Sequence, residues 1–265
     1  MSETNSRKRQ PKSQRRSTRQ ASARKRARQR TLLIWAGGAI GLAVILILGL
    51  VFITGDDDGE PETNPAESVA LYQDIQSDGR FLGDPEAPVE FVIYSDFQCP
   101  VCKRFDTQDF PAVIDNFVKT GDVRVEWRPM PIISGFEDIP LEDPDNESVQ
   151  AAEAAMCAAD QDQFWPYSEA LFTAQGAENS STYTDEMLKQ TALDLELDTE
   201  AFNTCLDSGE KQRKVLDLRQ DGLDRGVKGT PTFLINDQLV SYTREGFDRL
   251  EQQFNDALDG KLVEK

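Results

Sequence analysis

An uninterrupted run of 23 uncharged residues, Leu32 to Thr54, constrains this chain more than any other feature. Its sequence, LLIWAGGAIGLAVILILGLVFIT, is long enough to cross a hydrocarbon core of about 30 Å as a single helix. Charge differs sharply on its two sides. Residues 1–30 hold twelve Lys and Arg against Glu3 alone, a net +11, whereas everything after residue 30 sums to −29. Because basic flanks are retained in the cytoplasm, the run predicts one N-terminal transmembrane helix at 32–54, with a basic leader 1–31 inside and the acidic remainder outside. A cleaved signal peptide is the competing reading, but it would carry an apolar stretch of about 7–15 residues and end at an A-x-A-like site. The leader is rich in Ser, Gln and Arg and has no aromatic residue, as expected of a disordered segment beside an anionic leaflet. Topology and lipid contact account for it without a nucleic-acid partner.

This topology puts all four cysteines, Cys99, Cys102, Cys157 and Cys205, outside the cytoplasm, where disulfides persist. The chain has no histidine, which removes Ser–His, Cys–His and His–metal mechanisms together.

Residues 55–78 combine acid, Pro and Gly and read as a flexible stalk. Val89 to Phe97, VEFVIYSDF, is the first strong strand signal, nearly continuous in its apolar run as a strand covered on both faces would be. The next segment spaces Val101, Phe105, Val113, Phe117 and Val118 mostly as a helix, interrupted by Pro111 and stopped at Gly121, so a kinked helix is expected. A second strand follows at Val123 to Met130, making a parallel α/β unit. Strand signals vanish and helical segments replace them through Arg225, an inserted helical region of about 137–225. They return at Thr232 to Asn236, a turn at Asn236 and Asp237, and Gln238 to Tyr242, before an amphipathic helix carrying Phe247, Leu250, Phe254 and Leu258.

Cys99-Pro100-Val101-Cys102 stands at the strand-to-helix junction. Cys99 falls at the N-cap and Pro100 at the first helical position, where a missing N–H costs little. Free N–H groups and the positive end of the helix dipole then favour a Cys99 thiolate, while Cys102 lies one turn inside and is shielded. Cys99 is the expected nucleophile and Cys102 the resolving thiol, a reaction that needs no cofactor. Half of a zinc site would need two further ligands, and the remaining cysteines stand 48 positions apart in predicted helices. A purely structural Cys-x-x-Cys disulfide is the other alternative. Gly229-Thr230-Pro231-Thr232, just before a strand, is an unusual setting for proline.

With Leu82-Gly83-Asp84-Pro85, Ala87-Pro88-Val89, Ser95 to Pro100, Ala152-Glu153-Ala154-Ala155, Phe164-Trp165 and Gly226 to Phe233, residues 79–260 resemble the DsbA-like branch of the thioredoxin superfamily. The resemblance implies a thioredoxin fold with an inserted helical domain and a cis Thr230–Pro231 peptide beside the cysteines. It also implies a Thr230 backbone free to pair with an extended substrate, and a helical cap over the site. Pro100, Val101, Phe97, Thr230 and Pro231 are therefore the expected support and substrate-binding residues. Two departures affect acidity: Ile93 stands where many relatives carry a buried acid, and Pro100-Val101 lacks the histidine that some have.

Among the three possible connectivities of four cysteines, we expect 99–102 and 157–205, the second a structural bond; a second redox pair is the alternative. The expected activity is a dithiol oxidase acting on reduced exported proteins and reoxidised by a DsbB-like or VKOR-like membrane partner. A reductase or isomerase of the same fold, and a tethered peptide-binding holdase, are the alternatives.

Overall fold

Apolar side chains organise the chain well before the expected domain start at residue 79. The computed structural model describes residues 70–133, 141, 146–240, 242 and 246–261. The expected leader, transmembrane helix and most of the stalk lie outside these residues. Among the described residues no helix is long and apolar enough to cross a membrane. The last part of the expected stalk is folded: Leu71, Tyr72 and Ile75 pack on the core, and Ser77–Asp78 (β1) pairs antiparallel with Phe81–Leu82 (β2). The stretch is polar on average, yet these three apolar side chains suffice to anchor it.

Val89–Ser95 (β3) is the central strand, buried at every position but Glu90. It runs two residues shorter than its apolar pattern because Asp96 turns the chain. The Asp96 carboxylate accepts N–H bonds from Gln98 at 3.0 Å, Ile132 at 2.8 Å and Ile133 at 2.9 Å. The helical run that follows comprises Pro100–Arg104 (α1), a π-helical turn Phe105–Asp109, Phe110–Val113 (α2) and a second π-helical turn Ile114–Val118. Instead of the expected kink, a widened turn precedes Pro111, whose ring and missing N–H are incompatible with regular α-helical bonding to the residue four positions back. Val123–Pro129 (β4) then lies parallel to β3, with Ile93 opposite Trp127.

Among the described residues the helical insertion includes Glu147–Ala159 (α3), Phe164–Ala174 (α4), Asp185–Asp194 (α5), Thr199–Ser208 (α6) and Gln212–Asp224 (α7). Side chains of Asn146, Thr184 and Asp198 cap α3, α5 and α6, each taking up an otherwise orphaned N–H. Helix α3 is buried nearly all round, and its alanines let α4, α5, α6 and α7 approach it, as befits the centre of a bundle. A Cys157–Cys205 disulfide, with S–S 2.00 Å and Cα–Cα 5.9 Å, ties α3 to α6.

Thr232–Ile235 (β5) pairs antiparallel with β3 and, through Asn236 and Asp237, with Gln238–Val240 (β6). Both turn residues have positive φ, 48° and 61°, the requirement of a two-residue hairpin turn that follows the strand twist. The sheet order is β1-β2-β4-β3-β5-β6. Phe247–Leu258 (α8) closes the domain by burying Leu250 and Phe254, whereas Leu258, expected on the same face, is exposed. One apolar core unites sheet and insertion: Phe97 packs on Trp127 of β4 and on Phe172 of α4. On the other sheet face Gly222 of α7 lies against Tyr94, where an added Cβ would sit 2.8 Å from the ring.

Candidate active site

Strand β3 aims the chain at the site, and the Asp96 turn delivers Cys99 to the start of α1. Cys99 has extended backbone (φ −78°, ψ 117°) and is the N-cap, with no side chain capping the helix. Pro100 follows at the first helical position and is exposed. The N–H groups at this end therefore remain for the sulfur. Cys99 and Cys102 are both thiols, the reduced form of the pair. Cys102 is 1 % exposed and Cys99 only 4 %, while Val101 between them is 46 % exposed.

Across the site the Thr230–Pro231 peptide is cis, and Cys99 Sγ donates to the Thr230 carbonyl at 3.3 Å. The Cys99 thiol is brought from an ordinary value near 9 to about 6. A hydrogen bond from the Cys102 thiol is the largest cause; burial opposes it, and the Thr230 side chain and the Cys102 and Val101 N–H groups assist. Burial, with the neighbouring Cys99 sulfur, pushes Cys102 well above the ordinary value, although the Asp96 backbone and the Ser95 side chain partly favour its anion. One sulfur is thus ready to attack, while the other holds its proton until the first is consumed.

The structure gathers Cys99, Pro100, Val101, Cys102, Thr230 and Pro231 at one place. It removes Phe97 from the surface: its ring is fully buried between Trp127 and Phe172. Phe97 serves the site through its carbonyl, which accepts the Tyr183 hydroxyl at 2.8 Å and the Gln175 amide. Ile93 is an ordinary core residue. The nearest acid in sequence, Asp96, is pushed up by burial but restrained by the N–H groups of Ile133, Ile132 and Gln98. It is a turn former held by donors.

Sequence reasoning missed Gln98, Lys103, Gln175 and Tyr183, whose side chains stitch the active-site turn to the insertion. Gln98 and Lys103 carried a signal, by adjoining the cysteines on either side. Cys157 and Cys205 are bonded to each other. Asp160, Cys205 and Glu210 bring ligand atoms together, but the Cys205 sulfur is occupied and the Lys211 ammonium already bridges both acids.

A thioredoxin-like sheet interrupted by a helical domain, with a paired-cysteine helix start facing a cis-proline loop, defines a thiol–disulfide oxidoreductase of DsbA-like type. Residues 76–253 match the family model described as thioredoxin, and the chain belongs to that family. It is 25% identical over 232 residues to the probable disulfide bond formation protein D of Bacillus anthracis, covering 87% of this chain and 96% of that one. Its fold is that of BdbD from Bacillus subtilis, with TM-score 0.58, 24% identity and coverage of 69% of this chain and 94% of that one. DsbA of Chlamydia trachomatis gives TM-score 0.58 at 21% identity, with coverage of 69% and 93%.

Proposed function

We propose that the chain is a dithiol oxidase, anchored by the Leu32–Thr54 segment with its catalytic domain outside the cytoplasm. The observation that carries this reading is the place of Cys99, at the start of α1 and against the cis-proline loop, where the Cys102 thiol and the first N–H groups favour its thiolate. A stabilised thiolate lowers the free energy of the reduced pair relative to its disulfide, so the oxidised protein is an avid electron acceptor. In the oxidised enzyme a client thiolate attacks Cys99 Sγ, forming a mixed disulfide and releasing the Cys102 sulfur. A second client thiolate then attacks the client's own sulfur, closing the client disulfide and expelling Cys99 as a thiolate. Two electrons pass to the enzyme, and a DsbB-like or VKOR-like membrane protein removes them. Thr230, facing Cys99 through its carbonyl, offers a backbone edge to the extended client, with Pro231 and exposed Val101 beside it.

Equilibration of the full chain with glutathione redox buffers tests the direction. The expected potential lies above the reducing extreme, about −270 mV, and below the oxidising one, about −120 mV. A value at the reducing extreme, with the pair kept reduced in cells, makes the enzyme a reductase. Retention of peptide holding but loss of all exchange in Cys99→Ser would instead separate a holdase function from the redox one.

A further inference from the structure

We propose that Gln175, in the helical insertion, is a positioning residue for the nucleophile, holding the Phe97 and Cys99 carbonyls and so fixing the Cys99 sulfur at the start of α1. The proposal rests on the redox reading of this site.

Cys99 is the N-cap of α1, but its side chain makes no capping bond to the helix. Its carbonyl accepts the first bond of the helix, from Lys103 N at 3.0 Å. The second lone pair of the same oxygen takes Gln175 Nε2 at 3.1 Å. That nitrogen also donates to the Phe97 carbonyl. A carboxamide nitrogen has two hydrogens, and here both are spent on carbonyls flanking the Gln98 backbone. Gln98 is itself held from the insertion, accepting from Asn179 N and donating to Ser148 Oγ.

The link is reciprocal. Gln175 is the residue at which α4 ends, with ψ 118°, and the Lys103 ammonium donates to the Thr173 and Gln175 carbonyls at 3.3 and 3.4 Å. Helix ends expose carbonyls that carry partial negative charge, so the cation suits that place. Two side chains therefore cross in opposite directions between the first turn of α1 and the end of α4.

Thiolate stabilisation depends on donor distance and angle. Loss of the Gln175 bonds lets residues 97–99 relax, and Cys99 Sγ shifts from the N–H groups of Val101 and Cys102. Gln175→Glu keeps the shape but turns an acceptor, and a negative charge, toward two carbonyls.

The test uses the full chain, reduced, with the Cys99 midpoint read from ultraviolet thiolate absorbance against pH and melting measured in parallel. Gln175→Ala is expected to raise the midpoint by about one pH unit and to shift the glutathione equilibrium about tenfold toward the disulfide form. Gln175→Glu should do more. Tyr183→Phe, which removes a donor to Phe97 but none to Cys99, should lower melting and move the midpoint far less. Lower melting with an unmoved midpoint in both Gln175 variants overturns the proposal, as does an equal shift in Tyr183→Phe. Failure of Gln175→Ala to fold while Tyr183→Phe folds also overturns it, because the residue would then serve the fold alone. A wild-type midpoint near the ordinary cysteine value would sink the redox reading itself, an outcome distinct from these.

Discussion

At the scale of single residues, the chemistry reduces to two sulfurs in unequal surroundings. The Cys102 thiol is the strongest influence on the Cys99 anion, so Cys102→Ala should raise the Cys99 titration midpoint from about 6 toward the ordinary value near 9, as read by thiolate absorbance. A folded value held below the unfolded one stabilises the reduced protein above the unfolded value. That stabilisation fades as pH falls and is gone below about 6. In denaturant unfolding at several pH values, the reduced chain should therefore lose stability relative to the oxidised chain across this window as the solution is acidified. Cys102, whose value is raised, contributes with the opposite sign only above the unfolded cysteine range. The cysteines, Thr230 and Pro231 were legible because their chemistry is local to a helix start or a strand start. Phe97 was misplaced as a substrate contact: adjacency to Cys99 says nothing about which way a ring points, and the gap beside Trp127 takes it inward. Gln175 and Tyr183 act 76 and 86 positions from their partners, and no local pattern signals such bonds.

Elements were read best where short-range rules fix their ends. The Asn236-Asp237 turn was expected and bounds its hairpin with two positive-φ residues; the caps at Thr184 and Asp198 and the left-handed Gly209, not singled out beforehand, bound their helices by rules of the same short range. Helix α1 and its continuation were read less well, because Pro111 can be accommodated by a kink or by a widened turn, and packing of Phe105 and Phe110 decides. Two predictions belong here. Replacing Cys157 and Cys205 together by Ala should cost about 2–4 kcal/mol in denaturant unfolding, through a less restricted unfolded chain, while exchange at Cys99 persists. Gly222→Ala should cost about 1–3 kcal/mol by the same measurement, since α7 must retreat from Tyr94.

Across the whole molecule, β1 and β2, β4 and α7 are joined by charge as well as by apolar contact. Glu126, almost fully buried, accepts from Arg80 and from Arg128, and Arg128 continues to Asp221 and the Tyr94 hydroxyl. Burial alone would push the Glu126 carboxyl up, yet Arg128 and Arg80 together hold it below the ordinary range. Its stabilisation is thus present above the unfolded carboxylate value and lost only as pH falls through the lower folded one. Glu126→Gln should destabilise by about 1–3 kcal/mol in chemical denaturation, because it leaves Arg80 without a carboxylate while Arg128 keeps Asp221. The acidic bias of this part of the chain was plain in its sequence, but not that a few acids would go inside. Equally hidden was how far the nucleophile is set back. With Cys99 only 4 % exposed beside a protruding Val101, a flat surface meets Val101 before it meets the sulfur. For the clients of the proposed oxidase, that setback favours a thiol borne on slack, outstretched chain over one fixed in a finished surface.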